Sequence, residues 1–305
     1  MTSRRVALAL CASAALLLAG CTAAGGQEPE APATPPPDGF PVTVGELTLD
    51  APPTAIVSLS PTATEMLFAI GAGDQVVAAD EFSTYPPEAP TTDLSGFTPN
   101  VEAIASYDPD LVVIAFDPGD LVTQLDTLEI PVHVAPDDPT SLSDIYAQLD
   151  DLGTLTGHAD QAADLVERMS TEIGTIVAEV PERDEPLRYY FEIENTLWTY
   201  TSESIVGSLL EMVGLENIAV TDDPSQVTMQ LSEESLVAAD PDVIFLADAQ
   251  YGESVETVSA REGWAEIEAV RSGRIVELSP DVASRWGPRV TDLLREVADA
   301  VSQVP

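Results

Sequence analysis

One short pattern occurs twice in this chain of 305 residues, 132 residues apart, and it constrains the fold more than any other feature. Residues 107–116 read YDPDLVVIAF and residues 239–247 read ADPDVIFLA. In each copy an Asp-Pro-Asp turn leads into a continuous apolar run, which is typical of a parallel strand covered on both faces. Because the chain is longer than the roughly 150 residues of one typical domain, the repeat indicates two similar halves.

Strand and helix patterns alternate in the first half. Residues 56–59 form a buried-strand pattern, and Ser60 with Pro61 is a helix start signal for a helix that stops at Gly71. Strands are predicted at 76–79, 111–116 and 131–134, with short helices at 101–105 and 121–128. This alternation predicts an α/β lobe with a parallel sheet.

The second half repeats the order. Strands are predicted at 189–193, 218–220, 243–247 and 274–278, with helices at 205–213 and around 235–238. Between the halves, residues 160–180 have apolar positions three and four apart, which predicts an amphipathic helix about 30 Å long. We therefore expect two Rossmann-like lobes, at 42–156 and 182–305, joined by a single long rigid helix at 157–181, with a ligand cleft between the lobes.

The N-terminus has the features of an export signal. Arg4 and Arg5 precede an apolar run that ends in Leu-Ala-Gly-Cys, which resembles the lipobox of bacterial lipoproteins. This predicts a signal peptide at 1–20, lipidation of Cys21, a flexible Pro-rich tether at 21–41, and an extracytoplasmic protein anchored to the cell membrane by lipid. An ordinary cleaved signal or a membrane-spanning anchor is the alternative, although the apolar run is shorter than the roughly 20 residues of a span.

The charge balance excludes some partners. All 11 basic residues are Arg, against 53 acids, and removal of residues 1–20 takes the formal charge from −42 to −44. Such a surface repels phosphate backbones, so nucleic acid is not an expected partner. The acidity is equally consistent with a general adaptation to salt.

Several motifs resemble one transport family. Residues 56–71 (IVSLSPTATEMLFAIG), 85–89 (YPPEA) and 210–217 (LEMVGLEN) closely resemble cobalamin- and iron-chelate-binding proteins of bacterial ABC importers. The resemblance implies a monomeric solute-binding lipoprotein that delivers its ligand to a permease dimer driven by a cytoplasmic ATPase. It further implies that Glu65 and Glu211, each on the first helix of its lobe, dock to arginine pockets of the permease.

Candidate ligand-binding residues follow the predicted strands, where open α/β sheets bind ligands. Aromatic faces suit a large, flat, partly apolar macrocycle, although aromatic residues as often fill cores, as we expect for Trp264. Asp117 and Gly119 lie beside the candidates, and Arg289 has either a ligand or a surface acid as partner. The candidates are Phe82, Tyr85, Phe116, Trp198, Tyr200, Tyr251, Arg285 and Trp286.

The predicted ligand is a cobalt or iron chelate, with no resident cofactor. His133 and His158 are the only histidines and are interpreted as structural, so direct binding of a metal ion is disfavoured. No Arg or Lys precedes Arg168 in the mature chain, which favours neutral cobalamin, or a related corrinoid, over a ferric siderophore or haem. An exported hydrolase is a remote alternative because no Gly-x-Ser-x-Gly motif is present, and a scaffold lipoprotein is a third.

Overall fold

The computed structural model describes residues 39–136 and 138–304, except for the side chains of Pro280 and Asp281. The elements up to residue 156 form the N-lobe, and those from residue 187 onward form the C-lobe. The N-lobe consists of β1 (Val42–Val44), β2 (Leu47–Leu49), β3 (Ile56–Leu59), α1 (Pro61–Ala69), β4 (Val76–Ala79), α2 (Val101–Ala105), β5 (Leu111–Ile114), α3 (Leu121–Asp126), β6 (Val132–Val134) and α4 (Leu142–Thr156).

A 21-residue helix, α5 (Ala159–Glu179), precedes the C-lobe. The C-lobe consists of β7 (Leu187–Glu192), β8 (Trp198–Tyr200), α6 (Ile205–Met212), β9 (Leu215–Asn217), β10 (Thr228–Gln230), α7 (Glu233–Ala239), β11 (Val243–Leu246), α8 (Val255–Ser259), α9 (Glu268–Arg271), β12 (Ile275–Glu277), α10 (Pro280–Ala283) and α11 (Val290–Ser302).

The two lobes have the same sheet topology. The N-lobe sheet has the strand order β4-β3-β5-β6, and the C-lobe sheet has the order β9-β7-β11-β12, with all neighbours parallel. The first strand of each sheet thus lies between the second and the third. The predicted fold class, α/β with two similar lobes, is confirmed.

The Asp-Pro-Asp repeat has the same structural role in both lobes. Asp108 and Asp240 adopt left-handed backbone conformations, with φ of 50° and 46°; Asp240 is the C-cap of α7, and Asp108 lies two residues beyond Ser106, the C-cap of α2. Asp110 then accepts a hydrogen bond of 2.9 Å from the N–H just before β3, and Asp242 accepts one of 2.8 Å from the second residue of β7. The repeat therefore braces the third strand of each sheet against the first.

Apolar residues form one shared layer and two outer layers. The shared cluster packs α1, α4, α5, α6 and α11 against both sheets, and includes Met66, Leu149, Met169, Phe191 and Leu294. The other face of the N-lobe sheet is covered by a cluster containing Ile104 and Val112, and that of the C-lobe sheet by one containing Ile244 and Trp264. Trp264 is therefore a core residue, as predicted.

Helix α5 contacts a helix of each lobe, α4 and α11. Its buried positions Leu165, Met169, Ile173 and Ile176 follow the predicted spacing. Gly153 allows α4 to approach α5 closely, because a Cβ at this position would lie 2.5 Å from that of Ala162. The rigidity of α5 and the exact lobe boundaries stay predictions.

Some sequence-based predictions were wrong in detail. The second C-lobe strand is β9, at 215–217, and not 218–220: β9 pairs with β7, whereas Val220 is 65% exposed. The tether was predicted to run to residue 41, but Phe40 is buried in the shared core. Helix α4 and the hairpin of β1 and β2 were not predicted. The signal peptide and Cys21 lie outside the described residues, and within residues 39–304 no helix is long and apolar enough to span a membrane.

Candidate functional site

Three exposed phenylalanines form a continuous row at the carboxyl edge of the N-lobe sheet. Phe82 follows β4, Phe116 follows β5, and Phe97 lies in the loop between them. The ring centroids of Phe82 and Phe97 are 5.9 Å apart, and those of Phe97 and Phe116 are 5.7 Å apart. This edge includes the point where the strand order reverses, between β3 and β5, and open α/β sheets bind ligands at such points. We call these residues the phenylalanine row.

Buried hydroxyl groups hold one end of the phenylalanine row. The Thr64 hydroxyl donates to Ser58 Oγ at 2.8 Å and lies 3.0 Å from Ser83 Oγ, which donates to Asp80 Oδ1 at 2.5 Å. Burial raises the pKa of Asp80 above its usual value, although the Ser83 hydrogen bond opposes the shift. The network fixes the loop that carries Phe82 to the ends of β3 and α1.

Phe97 is positioned by the glycine before it. A Cβ on Gly96 would lie 2.5 Å from the carbonyl oxygen of Leu59, so only glycine allows this loop to cross the end of β3. Phe97 itself is 63% exposed. Phe97 was not predicted as a site residue because it lies far along the chain from β4 and β5. The Ser-Gly-Phe sequence in the loop between them was the available signal.

The carboxyl edge of the C-lobe sheet contains a buried charge network. Glu192, the last residue of β7, is fully buried and accepts two hydrogen bonds of 2.6 Å from the guanidinium of Arg261. Arg261 also donates to Glu253 at 2.7 Å, and its guanidinium lies 4.5 Å from the centre of the Trp264 ring. Because Glu253 follows β11, Arg261 ties the loop after β11 to the end of β7.

Asp248 is the unusual member of this edge. It lies two residues after β11 and is buried, and its Oδ1 has no hydrogen-bond partner among the described residues. Burial, reinforced by the charge of Glu192, raises the pKa of Asp248 to about 7. The side chain therefore lies at the strand-order reversal of the C-lobe and is partly protonated near neutral pH.

Two predicted aromatic residues are exposed on the C-lobe. Trp198 begins β8, and Tyr251, which is 81% exposed, follows Asp248 in a short helical turn. Tyr200 and Trp286 were predicted to line the cleft. Trp286 is buried in the shared core, and its contact with a ligand stays a prediction. The ring of Tyr200 is partly buried and packs edge-on against Phe191 and Trp286, at 5.5 and 5.6 Å.

Glu65 joins the two lobes. It lies in α1 of the N-lobe, is 3% exposed, and accepts hydrogen bonds of 2.9 and 2.6 Å from Arg289 and one of 3.3 Å from Arg285. Arg285 also donates to the carbonyl oxygen of Phe82 at 3.0 Å, and the Arg289 guanidinium lies 4.1 Å from the centre of the Tyr85 ring. We call Glu65, Arg285 and Arg289 the junction cluster; it lies next to one end of the phenylalanine row.

The junction cluster includes two residues with predicted roles. Glu65 is enclosed by its arginine partners in this structure, and its docking to a permease stays a prediction. The Arg285 guanidinium bonds Glu65 and a backbone carbonyl, and its contact with a ligand stays a prediction. Glu211, the predicted second docking residue, is exposed; it lies seven residues after its helix cap Ser204, whereas Glu65 lies five after Ser60.

The remaining candidates have structural roles. Burial lowers the pKa of His133, in β6, to about 4, which keeps its ring neutral, and His158 Nδ1 lies 3.0 Å from the carbonyl oxygen of Thr156. Asp117 caps the start of α3 by accepting from the N–H of Val122 at 2.9 Å. Among the described residues no cluster of three His, Cys, Asp or Glu side chains is arranged to hold a metal ion.

Comparison with known proteins identifies the family. Residues 56–282 match the model described as periplasmic binding protein. The chain belongs to the periplasmic binding protein family. A Bacillus subtilis protein, named uncharacterized ABC transporter substrate-binding lipoprotein YvrC, is 30% identical over 302 residues and covers 94% of both chains. A Halobacterium salinarum protein named cobalamin-binding protein is 30% identical over 275 residues, covering 86% of this chain and 74% of its own.

A solved structure agrees with this periplasmic binding protein in fold. The periplasmic heme-binding protein RhuT from Roseiflexus, in its apo form, superimposes with a TM-score of 0.70 at 26% identity, and covers 81% of this chain and 97% of its own. These relatives are binding proteins, and this chain is likewise a binding protein of the ABC transporter type and not an enzyme. The remote hydrolase alternative is thereby set aside.

Proposed function

We propose that the protein is the extracytoplasmic solute-binding lipoprotein of an ABC importer, and that it binds a metal chelate, cobalamin or a related corrinoid, in the cleft between the lobes. The observation that carries the proposal is the phenylalanine row at the carboxyl edge of the N-lobe, together with exposed Trp198 and Tyr251 on the C-lobe. Ligand sites of this size combine aromatic walls with a few polar groups.

The shape of the phenylalanine row supports a macrocycle. Three rings at successive spacings of 5.9 and 5.7 Å form an apolar face several times wider than one ring, which fits the edge of a corrin better than a small solute. The name of the Halobacterium relative supports a corrinoid, and that of the Roseiflexus structure supports haem. Haem or a ferric siderophore, in the same importer role, is the alternative ligand.

Delivery to a permease requires exposed contacts on both lobes. The Asp-Pro-Asp repeat offers a matched pair: Glu102 in α2 and Glu234 in α7 each lie six residues before the first aspartate of the repeat, and both are exposed. Two separated carboxylates on equivalent helices would fix orientation as well as contact if they met arginines of the permease. Glu65 and Glu211, one on the first helix of each lobe, are the other candidate pair.

The lipid anchor is proposed on the sequence and on one relative's name. Cys21 ends the Leu-Ala-Gly-Cys motif, and the Bacillus relative is named a lipoprotein. Replacement Cys21→Ser should release the protein from the membrane fraction of expressing cells, whereas Cys11→Ser should leave it attached. Retention of the Cys21→Ser protein in the membrane fraction would argue against acylation.

The ligand is tested by fluorescence titration of the mature protein with cyanocobalamin, haem and ferric siderophores, followed by calorimetry. Of the three tryptophans, Trp198 is exposed whereas Trp264 and Trp286 are buried, so Trp198→Phe identifies the reporting residue. We expect saturable binding of one cyanocobalamin. Binding of an iron chelate alone would replace the corrinoid and keep the importer role, and silence with every chelate would refute the proposed function.

The phenylalanine row is tested by Phe97→Ala. We expect about tenfold weaker binding, because one aromatic contact contributes roughly 0.5–1.5 kcal/mol beyond its buried area. The unfolding midpoint should not change, since Phe97 is already exposed. Leu128→Ala, an exposed apolar residue just after α3, is the matched control for both measurements. Unchanged affinity in Phe97→Ala would move the ligand away from the phenylalanine row.

A further inference from the structure

A fully buried threonine in α1 contacts the loop that carries Phe82. The hydroxyl of Thr64 lies 3.0 Å from that of Ser83, the residue after Phe82, and either oxygen can donate in this contact. Ser83 also hydrogen-bonds Asp80, the residue after β4, with 2.5 Å between Ser83 Oγ and Asp80 Oδ1. Thr64 is therefore linked, from the side of the helix, to the segment that presents the first ring of the phenylalanine row.

The same buried group also lies against the loop that carries Phe97. A Cβ on Gly96 would lie 3.3 Å from Asp80 Oδ2, so the two carboxyl oxygens of Asp80 face different loops. The N–H of Glu81 donates to the carbonyl oxygen of Leu94 at 2.8 Å, which ties the two loops to each other. The positions of the first two rings of the row are therefore set by one network.

The rings of the phenylalanine row do not hold these loops by their own burial. Phe82, Phe97 and Phe116 are all exposed, so they gain less from the removal of apolar surface from water than core residues do. A buried network in which each polar group has a partner restricts its segments to one arrangement. A loop that is ordered before the ligand arrives also lowers the entropic cost of binding.

We propose that Thr64 is a positioning residue for the ligand: through the Ser83 hydroxyl and the Asp80 carboxyl it holds the loops of the first two rings in the ligand-binding arrangement before a chelate arrives. This inference rests on the proposed function. Thr64 is itself buried behind the row and acts only through these neighbours. When its contact with Ser83 is lost, only a fraction of the molecules has the rings in place, and the apparent affinity falls by that fraction.

The first test compares two substitutions at Thr64. Valine has nearly the shape of threonine but no hydroxyl, whereas serine keeps the hydroxyl and loses a methyl group. The affinity and the association rate are measured with cyanocobalamin, haem and ferrichrome, of which the chelate bound by the wild-type protein is used. We expect Thr64→Val to bind about fivefold more weakly, mainly through slower association, which is the size that one net hydrogen bond supports. Thr64→Ser should stay within about twofold of the wild-type protein.

Two outcomes of this comparison separate the inference from the function on which it rests. Unchanged affinity in Thr64→Val, or a Thr64→Ser protein that is as weak as Thr64→Val, would overturn the positioning role and leave the importer role intact. Silence of the wild-type protein with all three chelates would refute the proposed function, and the inference with it.

Thr156→Val is the matched control for a general loss of stability. Thr64 and Thr156 are both buried in helices, and each hydroxyl donates to the carbonyl oxygen four residues earlier, at 2.9 and 2.7 Å. The Thr156 hydroxyl also lies 3.2 Å from His158 Nδ1, whereas that of Thr64 contacts the Phe82 loop. We expect both valine variants to unfold at lower urea concentration, but Thr156→Val to keep the wild-type affinity. Equal losses of affinity would assign the effect to stability and overturn the inference.

A double-mutant cycle tests whether Thr64 acts through the phenylalanine row. Thr64→Val should weaken binding about fivefold in the wild-type background, but by about twofold or less in a Phe82→Ala protein, because the ring next to Ser83 is then absent. The same fold-loss in both backgrounds would show that Thr64 acts elsewhere. If Thr64→Val does not fold, Ser83→Ala, which removes the other hydroxyl of the same contact, takes its place in the cycle with the same expected outcome.

Discussion

The two lobes share a sheet topology but differ in the chemistry of their carboxyl edges. At the N-lobe edge, a network of hydroxyl groups and one buried aspartate supports exposed phenylalanines, and residues 42–156 contribute no basic side chain. At the C-lobe edge, a buried network of Glu192, Arg261 and Glu253 fixes the loops. The exposed Trp198 and Tyr251 lie in the segments after β7 and β11. The N-lobe edge therefore presents apolar rings, whereas the C-lobe edge contains a buried ion-pair network.

The two lobes share the Asp-Pro-Asp repeat and the contact it makes within the sheet, but they do not share the loops at their carboxyl edges. The Asp-Pro-Asp turn braces the sheet in both lobes through the same pair of strands, so it recurs in sequence. The loops after the strands serve the ligand, and a single ligand needs different contacts from its two walls. Similar lobes can therefore carry dissimilar edges without any change in strand order.

The largest expected change in the free energy of unfolding is for a substitution in the junction cluster, where the two lobes meet. Glu65→Gln removes the charged carboxylate that two largely buried guanidiniums share, and loss of one partner of a buried ion pair costs about 3–5 kcal/mol. We expect the free energy of unfolding, measured by urea denaturation, to fall by about 4 kcal/mol. The control Glu211→Gln, at an exposed position, should change it by less than about 0.5 kcal/mol. Equal effects would show that the junction cluster does not hold the lobes together.

The next largest change in the free energy of unfolding is expected for a substitution at the C-lobe edge. Arg261→Met leaves buried Glu192 unpaired, and we expect a loss of about 3 kcal/mol in the free energy of unfolding. The double variant with Glu192→Gln should recover part of this loss, because the two residues are directly coupled. The N-lobe edge has no such pair among its described residues. A double variant that shows the full sum of both single losses would contradict the coupling.

Asp110 and Asp242 occupy equivalent positions in the two lobes, but we expect them to contribute different amounts to the free energy of unfolding. Asp110 accepts hydrogen bonds from two backbone N–H groups and from the Thr54 hydroxyl, whereas Asp242 accepts one from the N–H of Arg188. We expect Asp110→Ala to cost about 2 kcal/mol and Asp242→Ala about 1 kcal/mol in denaturant unfolding, in line with charged hydrogen bonds at partly exposed sites. Asp222→Ala, at an exposed position, is the control, and a larger loss for Asp242→Ala would reverse this ranking.

Much of the fold was predictable because local signals were strong. Continuous apolar runs, capping serines and glycine stops placed β3, α1 and β5 close to their observed bounds. The strand at 218–220 was misplaced because Ile218 and Val220 are apolar, whereas the observed β9 contains Glu216 and Asn217, whose place in the sheet depends on pairing with β7. Pairing between distant segments is not visible in local hydrophobicity.

The exposure of several candidate site residues was predictable from the sequence, whereas their long-range contacts were not. Phe82, Phe116 and Trp198 follow strand ends and are exposed, and their binding of a ligand stays a prediction. The burial of Glu65 was not predictable, because its partners lie 220 and 224 residues away along the chain. The local sequence around Glu65 fits an exposed helix glutamate as well as it fits a buried one.

The smallest expected effect depends on pH and on Asp248. Its pKa is about 7 in the folded protein and near 3.8 when unfolded, so the folded state holds the proton more tightly, and stability falls as pH rises between these values. Asp248→Asn removes this ionisation beside Glu192, Glu253 and Arg261. At about 1.36 kcal/mol per pKa unit, the full difference would give about 4 kcal/mol. We discount this to about 1 kcal/mol because solvent at the strand end screens the charged carboxylate, so the unfolding midpoint, relative to the wild-type protein, should rise by about 2–4 °C between pH 4 and pH 8. Asp222→Asn should show no such trend. A difference between Asp248→Asn and wild type that is independent of pH would mean that folding does not raise the pKa of Asp248.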